Sequence, residues 1–192
     1  MTLNPIHDQQ QFLVACEQNS PAFAGLYVKL IQEEWSNETR VALEAGDRVA
    51  LFDGLLDTVY VLAGLANTLR DANTDDSFEI RQLPEGEPQA WACAIYEVSV
   101  ACQQGSWNPH QAIRAAEVVW SLGLKLGFPM DAGWLEVHAS NMAKVDKVTG
   151  KVIRRDDGKI LKPEGWVGPN LVAILEGQPG NYADSVVEVQ HG

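Results

Sequence analysis

The stretch from Val49 to Ala66 most constrains what this chain can fold into. Its only charged residues are Asp53 and Asp57; the rest are Ala, Leu, Phe, Gly, Thr, Val and Tyr. A helix that is apolar nearly all round belongs in the interior of a fold. The i, i+4 spacing points both aspartates the same way. No Lys or Arg lies within the segment to neutralise them. An unpaired ionised carboxylate in an interior is costly enough to threaten the whole margin of stability, so this fold must compensate them.

The preceding segment adds a second pair. Phe23, Leu26, Tyr27, Leu30 and Ile31 form an apolar stripe at helical spacing. Continued turn by turn, the stripe reaches Glu34, then Glu38, then Val41 and Ala42. Two acids thus stand where the pattern asks for apolar side chains. Converging carboxylates are tolerated in two ways. Burial and repulsion can raise their pKa values until they hold protons, or hard divalent cations can bind them. Two facing helices with such pairs make a cage suited to Mg²⁺ or Mn²⁺. Glu44 and Asp47 read instead as a helix end and a helix cap.

Around this centre the chain reads as one all-α domain spanning residues 1–192, mostly helical. Helices are expected at about 8–17, 22–45, 49–69, 89–102, 109–126 and 131–144. Breaks fall at Asn19-Ser20-Pro21, Gly46, Gly105 to Pro109 and Gly127-Phe128-Pro129. The polar, acidic stretch from Asp71 to Pro88 reads as a long connection. Lys151 to Arg154 and Lys159 to Leu161 flank Asp157-Gly158, a signal for a small C-terminal β-hairpin.

Composition narrows the partners. A 46% hydrophobic, 21% charged chain is an ordinary globular protein. Its net charge of −12 argues against coating a polynucleotide or an anionic membrane. The polar N-terminus and the lack of 18 uninterrupted apolar residues predict neither a signal peptide nor a membrane span. Cys16, Cys93 and Cys102 are scattered and imply neither zinc nor disulfides, which fits a reducing cytoplasm. His7, His110 and His191 show no ligand spacing, and Trp35 reads as a core residue. A Walker-type glycine loop and a GxSxG nucleophile motif are absent.

Bases are not spread evenly. Lys144, Lys147, Lys151, Arg154, Arg155, Lys159 and Lys162 crowd residues 138–162, a local +4 that leaves −16 for the remainder. Such cations can hold phosphate oxygens. Asn141 and Lys144 are three apart on an expected helix and can face one ligand.

Three stretches together resemble the all-α nucleoside triphosphate pyrophosphohydrolases, the MazG-like and phosphoribosyl-ATP-pyrophosphohydrolase-like enzymes, including small phage members. They are Lys29-Leu-Ile-Gln-Glu-Glu34 continuing to Glu38; Asp53-Gly-Leu-Leu-Asp57-Thr-Val-Tyr60-Val-Leu-Ala-Gly64; and Glu136-Val-His138-Ala-Ser-Asn141-Met-Ala-Lys144 with Arg154 to Pro163. The resemblance covers about half the chain. It implies a helical bundle assembling as a homodimer or homotetramer. It implies hydrolysis of a (deoxy)nucleoside triphosphate, a purine such as dGTP among the phage members, to the monophosphate and pyrophosphate. It implies two or three Mg²⁺ or Mn²⁺ ions held by Glu34, Glu38, Asp53 and Asp57, with Glu34 or Glu38 as base. Asn141 and Lys144 would contact the nucleotide, and Lys29 the phosphates, with Arg154, Arg155, Lys159 and Lys162 as further phosphate donors. The site would lie in the cytoplasm, that of the host for a phage protein.

The family's first motif has a Glu pair three apart preceded by another Glu. Here residue 37 is Asn and the acid falls at 38, as if one residue were inserted, so either Glu33 or Glu34 leads the motif. The face argument favours Glu34 with Glu38. Residues 71–110 exceed the family's usual connection and read as an insertion. Two alternatives stand beside this reading: a phosphoribosyl-ATP pyrophosphohydrolase, and a non-catalytic acidic helical interaction protein.

Overall fold

A computed structural model describes residues 3–103 and 107–183; Gly105, Ser106 and His191 lie outside them. The fold is all-α. Helix α1 spans Pro5–Ala15, capped by the Asn4 side chain, which accepts from the Ile6 and His7 amides. Asn4 and the helix-starting Pro5 set the beginning three residues earlier than Asp8, which lies in the first turn instead. A 3₁₀ turn, Pro21–Phe23, leads into α2, Ala24–Gln32. Then come a π-helical segment, Glu33–Thr39, and α3, Arg40–Ala45. Gly46, at φ +68°, ends α3 in the left-handed conformation that glycine adopts without strain. Asp47 caps α4, Arg48–Leu69, by accepting from the Val49 and Ala50 amides. The remaining helices are α5, Glu87–Ala101; α6, Pro109–Lys125; α7, Met130–Met142; and the short α8, Leu171–Leu175.

Helix α4 is the axis of the bundle. It packs against α6, α1, α2 and the π segment, and Phe52, Leu55, Leu56, Leu62 and Leu65 are fully enclosed. By length and apolarity alone α4 could cross a bilayer, but most of it is covered by the other helices. The long connection after α4 is laid down along the bundle. Glu117, buried on α6, accepts from the Glu79 amide at 2.9 Å and pairs with Arg81 at 2.6 Å. Asp76 accepts from His7 at 3.0 Å and from Arg70. Helix α5 then packs on α6 and brings Trp91 to 5.9 Å from Trp35, which is a core residue.

Two expectations are corrected. The stripe continued to Val41, yet Val41 is exposed while Trp35, Thr39 and Ala42 are buried. The π segment inserts one residue into the helical repeat, which shifts the phase of everything after it. The expected β-hairpin is not formed. Among the described residues there is no strand, only a single antiparallel bridge between Arg154 and Ile160. Asp157-Gly158 does turn the chain, with Gly158 at φ +93°. The flanking backbone pairs over a short stretch only, the Arg155 amide donating to the Lys159 carbonyl at 2.9 Å and the Leu161 amide to the Ile153 carbonyl at 2.8 Å. Asp146 folds residues 146–149 around its carboxylate, accepting from the Val148 and Thr149 amides. The Gly158 carbonyl, at the turn, accepts from the buried Gln18 side-chain amide at 2.6 Å.

Candidate functional site

The four acids singled out by the helical pattern meet where the π segment crosses the first half of α4. Glu34, Asp53 and Asp57 are half-buried, and Glu38 is exposed at the rim. Burial, then Glu38 and Glu33, push the Glu34 carboxyl up to about 7, against the pull of Lys159. Burial and then Glu38 raise Asp53, with Lys162 opposing. Burial, followed by Asp53 and Glu34, holds Asp57 well above the usual carboxylate range, and Lys144 opposes. Each of these acids is therefore acted on by another acid of the set and by its own tail lysine.

Backbone geometry explains the meeting. Within the π segment the amide of Arg40 reaches the carbonyl of Trp35, five residues back rather than four. Gly54, next to Asp53, lets the segment come close. A Cβ there would stand 2.6 Å from Thr39 Oγ1 and 3.0 Å from Thr39 Cα. Trp35 anchors the segment's other side in the core.

The tail supplies the cations. Lys144 lies just past the end of α7 rather than on it, in a turn where its amide donates to the Asn141 carbonyl at 3.0 Å. Its ammonium still reaches Asn141 Oδ1, at 2.6 Å. Burial lowers the Lys144 pKa, with Asp57 opposing. Trp166 organises this side. Its indole N–H donates to the Ser140 carbonyl at 2.8 Å, and its ring lies 5.4 Å from the Lys144 ammonium and 4.5 Å from that of Lys162. Lys159 pairs with Glu33 at 2.9 Å. Glu33 is thus the partner of a base, while Glu34 faces the other acids.

The remaining candidates sit apart. Arg154 donates to the Cys16 carbonyl and lies 3.6 Å from Glu17, tying the tail to α1. Arg155 makes a bidentate pair with Asp157 on the surface, at 2.9 and 2.6 Å. Lys29 is exposed and does not line the pocket beside the acids.

That pocket has two unlike walls. Glu34, Asp57, Asn141, Lys144 and Lys159 form the polar one. Phe12, Leu26, Tyr27, Leu30, Tyr60 and Val61 form the apolar one. The sequence marks Leu26, Tyr27 and Leu30 as an apolar stripe but not as part of a pocket, and Tyr60 and Val61 follow Asp57 by one helical turn and share its face. Nothing in the sequence marks Phe12 or Trp166, which arrive from distant segments. His138 is structural: it stacks on Trp134 and lies 3.3 Å from the Tyr60 hydroxyl. Burial lowers its pKa, with Asp8 opposing.

The donor set of the cluster is all carboxylate oxygen, the chemistry that suits hard divalent cations. As the side chains stand, no three acidic, His or Cys groups among the described residues are close enough to ligate one ion. No protein-family model, curated protein or solved structure matches the chain.

Proposed function

We propose that this protein is a metal-dependent nucleoside triphosphate pyrophosphohydrolase of the MazG-like kind, cleaving a (deoxy)nucleoside triphosphate to the monophosphate and pyrophosphate. One observation carries the reading: mutually interacting carboxylates from two helices share a pocket with tail lysines and an apolar, aromatic wall. A nucleotide presents matching chemistry, a polyanion at one end and a flat base at the other. The raised carboxyl pKa values support bound cations, because such groups gain most from a neutralising partner.

Glu34, Glu38, Asp53 and Asp57 would hold the Mg²⁺ or Mn²⁺ ions. When bound, these ions would supply positive charge to the phosphates and make a water molecule more acidic. The protein's own groups do the rest. Glu34 or Glu38 would take the proton from that water as the general base. Lys144, Lys159 and Lys162 would offset charge on the departing pyrophosphate, with Asn141 orienting the Lys144 ammonium. The apolar wall, where Leu26 and Leu30 are half-buried, would take the base. A purine deoxynucleotide such as dGTP and a homodimeric or homotetrameric assembly follow from the family resemblance alone.

The test is a panel of (d)NTPs and phosphoribosyl-ATP incubated with Mg²⁺ or Mn²⁺, with products read by mass. A monophosphate plus pyrophosphate is expected from at least one nucleotide. A ligand at a hundredfold excess over Kd stabilises the folded state by about 2.7 kcal/mol, so Mn²⁺ should raise the melting temperature. No cleavage together with an unchanged melting curve would overturn the reading and favour a non-catalytic protein.

A further inference from the structure

The π segment deepens this reading and rests on it. A π turn is rare and persists only where its surroundings hold it. Here the holding groups are two hydroxyls. Thr39 Oγ1 donates to the Glu34 carbonyl at 2.9 Å and lies 3.3 Å from Thr58 Oγ1. Thr39 and Thr58 are both fully buried. A hydroxyl has one proton. That of Thr39 is committed to the Glu34 carbonyl, so Thr58 is the donor between the two threonines. The chain of hydrogen bonds runs from α4 through Thr39 to the backbone of the first acid.

The placement along α4 is regular. Gly54 follows Asp53 and Thr58 follows Asp57, so two i, i+4 rows lie side by side. One row carries the carboxylates. The other carries the glycine and threonine that receive Thr39. In an unbroken α-helix the one-residue phase shift would be lost, and Thr39 and Ala42 would turn by about 100° relative to Glu34 and Trp35, away from α4.

We propose that Thr39 and Thr58 are positioning residues: their buried hydroxyl pair holds a one-residue π insertion that keeps Glu34 and Glu38 turned toward Asp53 and Asp57. Both threonines are fully buried and neither lines the pocket. They act through the backbone of the acids.

The experiment measures Mn²⁺ affinity by calorimetry and by electron paramagnetic resonance of free Mn²⁺, on wild type, Thr39→Val, Thr58→Val and Thr58→Ser. Circular dichroism and melting temperature report folding. Loss of an indirect partner of a metal ligand costs about 10–100-fold in affinity. Both valine variants are expected to remain helical and to lose about tenfold or more. Thr58→Ser, which restores the hydroxyl, is expected to bind within about threefold of wild type by the same reasoning. Deletion of Asn37, which removes the inserted residue, should weaken Mn²⁺ at least as much as Thr39→Val. If both valine variants bind Mn²⁺ like wild type, the positioning role is wrong while the metal reading survives. If the valine variants fail to fold, the deletion and Thr58→Ser decide: wild-type affinity in the deletion overturns the proposal. If wild type itself does not bind Mn²⁺, the metal reading fails and this role falls with it.

Discussion

At Asp57, burial and the carboxylates of Asp53 and Glu34 act in the same direction, and Lys144 opposes them. Asp57→Asn removes one charge from that cluster while keeping the shape. Turnover should fall by roughly a hundredfold or more, since a direct ligand matters more than its indirect partners. Metal-free stability should rise, because the amide removes a charge that burial and the neighbouring acids disfavour. Activity assays and urea unfolding in EDTA check both, and unchanged turnover would take Asp57 out of the site. The pH dependence follows from the same shifts. Glu34 has a higher pKa folded, about 7, than its ordinary 4.5. The metal-free fold therefore binds its protons more tightly than the unfolded chain. This contribution grows as pH falls from about 7 toward 4.5 and is absent above that window. His138 works the other way: its lowered pKa costs stability as pH falls below 6.5. Metal separates the two, because cations compete with the carboxylate protons and not with His138. The gain in melting temperature from Mg²⁺ should accordingly shrink as pH falls from about 7 to 4.5. Melts with Mg²⁺ and with EDTA across that range check it.

Among the elements, the π segment and α4 act as one unit, joined where Gly54 faces Thr39. Gly54→Ala puts a methyl group 2.6 Å from Thr39 Oγ1 and 3.0 Å from its Cα, and backbone cannot swing aside. Overpacking of this kind costs about 1–3 kcal/mol. At Gly123 the obstruction is the flexible side chain of Met130, so Gly123→Ala should cost less. Denaturant midpoints of the two variants compare them directly. Most helices were legible in sequence, but the short α8 was not, and the single helix expected at 22–45 is broken by the π segment. Asp47 as the cap of α4, Gly46 as the stop of α3 and the breaks near Pro21 and Gly127 are local signals, read from side chains that bond their own backbone. The π segment was visible only as a puzzle, an acid one residue late. Local sequence cannot settle four- against five-residue hydrogen bonding, because the deciding partner, Thr58, lies on another helix. The hairpin failed for the converse reason. Its turn is local and forms, but the pairing across it stops at the Arg155–Lys159 and Leu161–Ile153 backbone bonds, because Asp146 curls residues 146–149 around itself and Gln18 holds the turn.

Across the whole molecule, one buried side chain gathers three amides of the tail segment from Pro163 to Tyr182. Glu136 accepts from the amides of Asn170, Asn181 and Tyr182 at 3.0, 2.6 and 3.1 Å. Glu136→Gln would set an amide N–H against one of those donors. The cost should be about 1–3 kcal/mol for the donor left unpaired. Faster proteolytic cleavage within residues 163–182 should accompany it, since this segment holds Trp166 under the lysines. Limited proteolysis with mass mapping checks it.

The sequence by itself determined the all-α class, the burial of α4 and the anomaly of its two aspartates, because helical periodicity and charge are properties of neighbouring residues. Only the tertiary structure decided which cations face those acids, which aromatic wall adjoins them and how Glu34 is turned toward them. Those depend on Lys144, Lys162, Phe12 and Thr58, residues brought together by packing across distances along the chain that no local pattern spans.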